Sequence, residues 1–203
     1  AFAGAAASTN FGNSVSLNAR GDRLAIGEYN YSTFTGRVHM IHYDHFNKTW
    51  TNDRNENFHL HRTAAFPTQH LGAKGTSPTL VKMWTGDADH DDFGWKVKLN
   101  AVGDRLFVAS SHYNENFDDI GNFRIYDYDW EKYEWNDTHT HQINGEIEKD
   151  YFGSSLAINA LGTEFAAGGT RVGDKTTITY KSGTSDKYGT DNGYVFIYNL
   201  VKQ

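Results

Sequence analysis

FGNSVSLNARGDRLAIG (residues 11–27) returns as FGWKVKLNAVGDRLFVA (93–109) and again as FGSSLAINALGTEFAAG (152–168), so one segment is written three times in a single chain. Recurrence in a fixed order marks an architecture of stacked supersecondary units, and it constrains the fold more tightly than local propensity does. Each copy is followed, after a loop of variable length, by a glycine and an aromatic-rich stretch: GRVHMIHY (36–43), GNFRIYDY (121–128) and GYVFIYNL (193–200).

Inside a copy the apolar residues alternate. Val15 and Leu17, Val97 and Leu99, and Leu156 and Ile158 recur with the period of two that belongs to a half-buried strand. The Asn-Ala-x-Gly that follows predicts a two-residue hairpin, its glycine supplying the positive φ of a tight connection. Leu24 and Ile26, Leu106 and Val108, and Phe165 and Ala167 then place a second strand. Val38 and Met40, Phe123 and Ile125, and Val195 and Ile197 predict the inner face of a third strand, whose tyrosines Tyr43, Tyr126, Tyr128 and Tyr198 are read as packing. A fourth strand is predicted to begin near Trp50 and Trp135. Four antiparallel strands per unit predict an all-β chain of β-propeller blades.

Composition agrees. Twenty Gly, only two Pro, twelve Tyr and thirteen Phe in 203 residues favour strands and tight turns over helices. The whole chain, 1–203, reads as one repeat region with units at about 11–84, 85–145 and 146–203. A formal charge of −6 without a Lys/Arg run makes nucleic acid an unexpected partner, and no apolar stretch approaches the roughly 20 residues that would insert directly into a membrane. The absence of cysteine leaves the redox compartment open. The opening AFAGAAAS (1–8) fits either a processed leader or the start of a fragment. Sequons at Asn30, Asn47 and Asn136, all in predicted loops, lean toward an extracellular or cell-surface setting with glycosylation.

These segments resemble the FG-GAP family of β-propeller repeats, in the variant that reads Phe-Gly-x-Ser-Val-x-Leu, a short turn, Leu-x-Val-Gly, then Gly-x-Val-x-Ile-Tyr and Trp. The resemblance covers roughly 11–50, 93–135 and 152–200. It implies blades set around an axis, as in the integrin-alpha-type propellers of adhesion receptors and other surface or secreted proteins. Closed propellers have about four to eight blades. Two completions of this three-unit chain are therefore expected: an arc of a larger propeller, or half of a dimeric ring.

Strand order sends the loops joining strands two and three, and those leading to the next unit, to one face. Long loops on a rigid scaffold are where binding resides, so Glu28, Tyr29, Tyr31, Tyr113, Glu115, Asp118, Asp119 and Tyr180 are the expected binding residues. Phe34, Phe117 and Tyr188 belong to the same loops. Aromatic rings flanked by polar groups suit a protein or glycan ligand. Ahead of the second and third copies, Asp87, Asp89 and Asp91 align with Glu146, Glu148 and Asp150, alternate carboxylates that suggest Ca²⁺ or else a solvated acidic turn. The family's calcium loop is missing from the hairpin that begins at Asn18, so no cofactor is carried over from it. Arg20-Gly21-Asp22 looks like the tripeptide that integrins recognise, although a repeat turn accounts for its Gly and Asp. His59 with His61 and His139 with His141 have the spacing of a metal pair on a strand. No phosphate-binding glycine loop, nucleophile elbow or cysteine motif occurs. The expected function is a non-catalytic binding or scaffold domain. A polysaccharide-acting hydrolase using acidic loop residues and a structural subunit of a larger surface assembly are the alternatives.

Overall fold

A computed structural model describes residues 8–44, 48–51, 82–113, 119–145, 148–170, 179–180, 183–184 and 193–200, and among them every regular element is a strand. The first sheet holds β1 (Ser14–Leu17), β2 (Arg23–Glu28), β3 (Arg37–Asp44), β4 (Thr49–Thr51) and β5 (Lys82–Thr85). β6 (Phe93–Leu99), β7 (Arg105–Ser110), β8 (Asn122–Asp129), β9 (Glu134–Trp135) and β10 (His141–Asn144) form the second. β11 (Ser155–Ile158), β12 (Glu164–Gly169) and β15 (Tyr194–Asn199) form the third, and β13 (Thr179–Tyr180) pairs with β14 (Gly183–Thr184) between them in sequence. All pairings between strands are antiparallel, so each copy of the repeat builds one sheet in the same order.

The fourth strand starts at its tryptophan as expected, but it is broken in two. β4 pairs with the end of β3 (His42 opposite Thr51), and β5 pairs with its beginning (Arg37 opposite Thr85). β9 and β10 divide β8 the same way. The long first-unit loop expected between Trp50 and Trp84 therefore leaves from the middle of one strand lane, and its residues 52–81 lie outside the described ones.

The turn also differs from a two-residue hairpin. Five residues, 18–22, separate β1 from β2, and an asparagine side chain organises them. Asn100 Oδ1 accepts the amides of Gly103, Asp104 and Arg105 at 2.9, 3.0 and 3.1 Å. Asn18 accepts those of Asp22 and Arg23, and Asn159 those of Thr163 and Glu164. The side chain substitutes for backbone partners that a tighter hairpin would have supplied.

That same turn locks neighbouring units together. Asn18 Nδ2 donates to Val102 O (3.1 Å) and Asn100 Nδ2 to Leu161 O (3.2 Å). Ala19 N donates to Ala101 O and Ala101 N to Ala160 O. Arg23 Nη1 reaches Gly103 O at 2.6 Å, and Arg105 Nη1 reaches Gly162 O at 3.1 Å. At the opposite end, Gly36 and Gly121 form parallel bridges with Phe93 and Phe152 of the following unit. A Cβ at either glycine would stand 2.1 Å from the phenylalanine carbonyl oxygen, and both have positive φ, so only glycine fits.

Between these end contacts the sheets bury two apolar layers. Ala25, Val38 and Met40 of the first sheet face Val97, Leu99, Leu106, Val108 and Tyr126 of the second. Phe107, Ala109, Phe123 and Ile125 on the other side of the second sheet face Phe165 and Ala167 of the third. Tyr126 and Tyr128 are buried and Tyr198 stacks on Phe165, which is the packing role expected of the third strands. Val195 and Ile197, expected on an inner face, are 67% and 82% exposed, and among the described residues no sheet covers them.

Replacing Asn100 by Ala leaves the amides of Asp104 and Arg105 and a neighbouring carbonyl without their partner, and should lower stability by about 1–3 kcal/mol. Asn159→Ala, whose described bonds stay inside its own turn, should cost measurably less. Urea unfolding of both variants checks the order.

Candidate functional site

The loops after β2 and β7 and the segments leading into β6 and β11 meet at one end of the sheets, as strand order requires. Backbone bonds fix them: Asp92 N donates to Phe34 O at 2.8 Å and Phe93 N to Thr35 O at 3.3 Å, while Tyr151 N and Phe152 N donate to Asp119 O and Ile120 O. The segments preceding Phe93-Gly94 and Phe152-Gly153 are thus each clamped on the loop of the unit before.

This clamp disposes the alternating carboxylates toward separate partners. Asp87 pairs with buried Arg124, Asp89 accepts the Thr35 hydroxyl at 3.0 Å, and Asp91 accepts the amide of Ala88 at 3.1 Å. In the third unit Asp150 is buried and accepts the Tyr194 hydroxyl at 2.7 Å, Glu148 is exposed beside Lys149, and Glu146 lies outside the described residues. Among the described residues no group of three or more His, Asp or Glu stands where it could hold a metal ion. His139 lies in the turn before β10 and His141 opens that strand, so the two do not share a strand face; His59 and His61 are outside the described residues.

Glu28 is not a loop-surface residue. It ends β2 with its side chain fully buried, 2.5 Å from Arg37 Nε and 2.7 Å from His39 Nε2. Burial pushes its carboxyl up, but hydrogen bonds from Arg37, Thr9 and His39, with the Arg37 charge, outweigh that and hold it below the ordinary value. Burial pushes the His39 ring down, against the pull of Glu28. This is a structural ion pair, not an exposed ligand contact. Tyr31 lies over the Arg37 guanidinium, 3.7 Å from the ring centre.

Tyr29 and Tyr113 are half-buried at the loop end. Tyr29 accepts from Asn10 Nδ2 and Tyr113 from Gln142 Nε2. Asp119 is half-buried with a positive φ. Glu115 and Asp118 lie outside the described residues, as does the side chain of Tyr180. Of the sequons, Asn30 Nδ2 donates to Ser8 O, Asn136 is half-buried, and Asn47 is outside the described residues. In the integrin-like tripeptide, Asp22 is buried under Asn18 and does not face outward.

What joins the units at this end is a row of rings. His90 stacks on Phe34, Phe34 leans on Tyr29 (6.3 Å), Tyr29 meets Trp95 edge-on (4.8 Å), Trp95 meets His112 (6.3 Å) and His112 meets Tyr151 (4.9 Å). The row starts in the first unit and ends in the third. Its rings are half-buried or exposed, so none is wholly enclosed. Lys96 Nζ lies 5.2 Å from the Trp95 ring, a cation over an aromatic face.

Tyr29 and Phe34 were legible as loop aromatics; Trp95, His112 and Tyr151 were not singled out. A signal existed for Trp95. It occupies the position after Phe-Gly that holds Asn13 and Ser154 in the other copies, a departure from the repeat.

His112 Nδ1 is 2.7 Å from Asp92 Oδ2, with the carboxylate buried. The hydrogen bond that the ring donates to Asp92 raises the imidazole above its usual value, against desolvation. Ser111 Oγ approaches the same nitrogen at 3.1 Å. A serine nucleophile needs the opposite ring nitrogen from the carboxylate, so these three groups do not make a nucleophilic triad. The pair instead anchors an imidazole in the aromatic row. A second concavity of about 320 Å³ lies between the first two units, lined by Trp84, Asp87, Arg124, Tyr126 and His139. Its Arg124 charge is already met by Asp87, and burial pushes the Tyr126 hydroxyl up to about 12.

Because the folded His112 is raised, the pair stabilises the fold fully below the unfolded value of about 6.5, and that contribution is lost as pH rises through the folded value. NMR titration should place the His112 midpoint above 6.5, and Asp92→Asn should bring it down. The stability gap between the two proteins should be widest at low pH within this window and close above it.

No protein-family model matches the chain, and no curated protein matches it. Among solved structures it is similar to the crystal structure of Sqt1 from Saccharomyces cerevisiae, at 11% identity and a TM-score of 0.48. The alignment covers 90% of this chain and 37% of that one, so the chain spans little more than a third of the length of the structure it matches.

Proposed function

We propose that this chain forms β-propeller blades of the FG-GAP kind and acts outside the cell as a non-catalytic domain that binds a protein or glycan at its loop end. The blade assignment is supported by the repeated sheet order and by the first strands lying side by side: Ser14 and Ser16 hydroxyls accept the amides of Val97 and Leu99 at 3.0 and 2.9 Å. Strands that neighbour one another across units belong near a common axis.

The observation that carries the binding function is the aromatic row from Phe34 through Tyr29, Trp95 and His112 to Tyr151. Apolar ring faces edged by hydrogen-bonding groups match the alternating CH faces and hydroxyls of a sugar, and equally the side chains of a protein hot spot. The row crosses unit boundaries, which a rigid repeat scaffold can hold in register without moving on binding. No metal is needed for such contacts.

Trp95→Ala removes the ring at the middle of the row without touching the apolar layers between sheets. On arrays of extracellular glycans and matrix proteins, the unaltered chain should bind a defined subset, and Trp95→Ala should weaken that binding at least about tenfold, the loss of a central aromatic contact. Binding that Trp95→Ala and Tyr29→Ala both leave unchanged would move the site away from the row.

A further inference from the structure

The first strands of the three copies differ at three places that lie together. Residues 93–99 read FGWKVKL where the first copy has FGNSVSL and the third FGSSLAI. Trp95, Lys96 and Lys98 thus stand where the first copy holds Asn13, Ser14 and Ser16 and the third holds Ser154, Ser155 and Ala157. Val97 is buried toward the first unit. Lys96 and Lys98 therefore take the other face, the one that looks to the third unit, opposite Ala109 and Phe107 in register.

At the first junction the residues at these places have a structural task. The Ser14 and Ser16 hydroxyls accept the amides of Val97 and Leu99. At the second junction the corresponding amides belong to Leu156 and Ile158 of β11, which lies beside β6 as β6 lies beside β1. A lysine ammonium only donates, so Lys96 and Lys98 cannot take these amides as the serines do. Donors meet donors along this edge, from two lysine positions about 7 Å apart along the strand.

Lys82, Lys132 and Lys149 have carboxylate partners, whereas among the described residues neither Lys96 nor Lys98 forms an ion pair. In a chain of formal charge −6 they make a local positive stripe, and Lys96 Nζ ties it to the middle of the aromatic row, 5.2 Å from the Trp95 ring. Lysines on a strand edge also keep other strands from pairing there. That task makes no demand on residue 95, which has changed together with them.

We propose that the ligand of the aromatic row is an acidic glycan, a run of sugars bearing carboxylate or sulfate groups. A sugar ring packs its CH face on Trp95, and the anionic groups accept charge-assisted hydrogen bonds from Lys96 and Lys98, with the Leu156 and Ile158 amides as further donors. Two cationic positions along one strand suit a polymer with repeated acidic groups better than a single anion. An acidic stretch of protein would satisfy the lysines, but its carboxylates stand on flexible stems with no apolar ring face beside them. The assignment rests on the binding function proposed above and names the class of its ligand.

Titration calorimetry of the 203-residue chain at low salt uses four probes: an oligomer of galacturonic acid, its neutral methyl ester, a sulfated galactan oligosaccharide, and polyglutamate of similar length. At least one of the two acidic glycans should bind about tenfold or more tightly than the ester, and added salt should narrow that margin. Which of the two binds decides between carboxylate and sulfate. Lys96→Ser combined with Lys98→Ser installs the residues of the first copy, so it should abolish the margin while leaving circular dichroism and the thermal midpoint in place. Lys96→Arg combined with Lys98→Arg should keep it. An ester bound as tightly as the acids, a serine variant that binds them undiminished, or no binding by any probe would overturn the assignment. Polyglutamate bound as tightly as the glycans would overturn it in favour of an acidic protein. Trp95→Ala separates the two levels: acidic glycan bound undiminished by that variant contradicts the row itself, whereas ester binding that needs Trp95 but shows no acidic preference overturns only the ligand class.

Discussion

Everything else in this molecule depends on how one sheet is held against the next, and the holding is done by a turn. The Asn side chain at the head of the first two turns folds its own loop with its oxygen and reaches the following loop with its nitrogen. A buried amide with all its hydrogen-bonding capacity in use is costly to disturb, because each partner it abandons is left dry. A net contribution of about 0.5–1.5 kcal/mol per hydrogen bond is nevertheless smaller than the roughly 1.5–3 kcal/mol of burying one phenylalanine such as Phe93 or Phe152. Adhesion between sheets is therefore supplied mainly by apolar burial, and the turns decide at which register and angle that burial happens.

The glycines at the opposite end complete the constraint. Gly36 and Gly121 let the backbone of one unit touch that of the next, which brings the segments ahead of Phe93 and Phe152 under the preceding loops. The aromatic row is a consequence of that approach. Tyr29 belongs to the first unit, Trp95 and His112 to the second and Tyr151 to the third, and no unit alone would bring two successive boundaries within ring-contact distance. Candidate function is thus a property of the junctions.

Much of this was legible in the residues. Period-two alternation located the first three strands of each unit, and the order of strands put the irregular loops at one end. The turn was not legible because Asn18, Asn100 and Asn159 act through hydrogen bonds to amides three to five residues on, and the first two also to another unit, which spacing alone does not reveal. Glu28 looked like a surface carboxylate because its partner Arg37 lies beyond a loop and only the pairing of β2 with β3 sets them opposite. Val195 and Ile197 carry the right alternation for an inner face; alternation says which side a residue takes and is silent on whether a neighbour covers it. Trp95 could have been found by comparing the three copies against one another, since an indole stands where the other two hold Asn13 and Ser154.

The most direct test of the junction is amide hydrogen exchange at three alanines that share one place in the repeat. Ala19 and Ala101 donate to the following unit, outside any strand pairing, while Ala160 holds the same position in the last turn. In the 203-residue chain, the amides of Ala19 and Ala101 should be protected like those of the central strands, and that of Ala160, for which no such bond to another turn is described, should exchange quickly. Equal, fast exchange at all three would mean that the turns do not hold the sheets together.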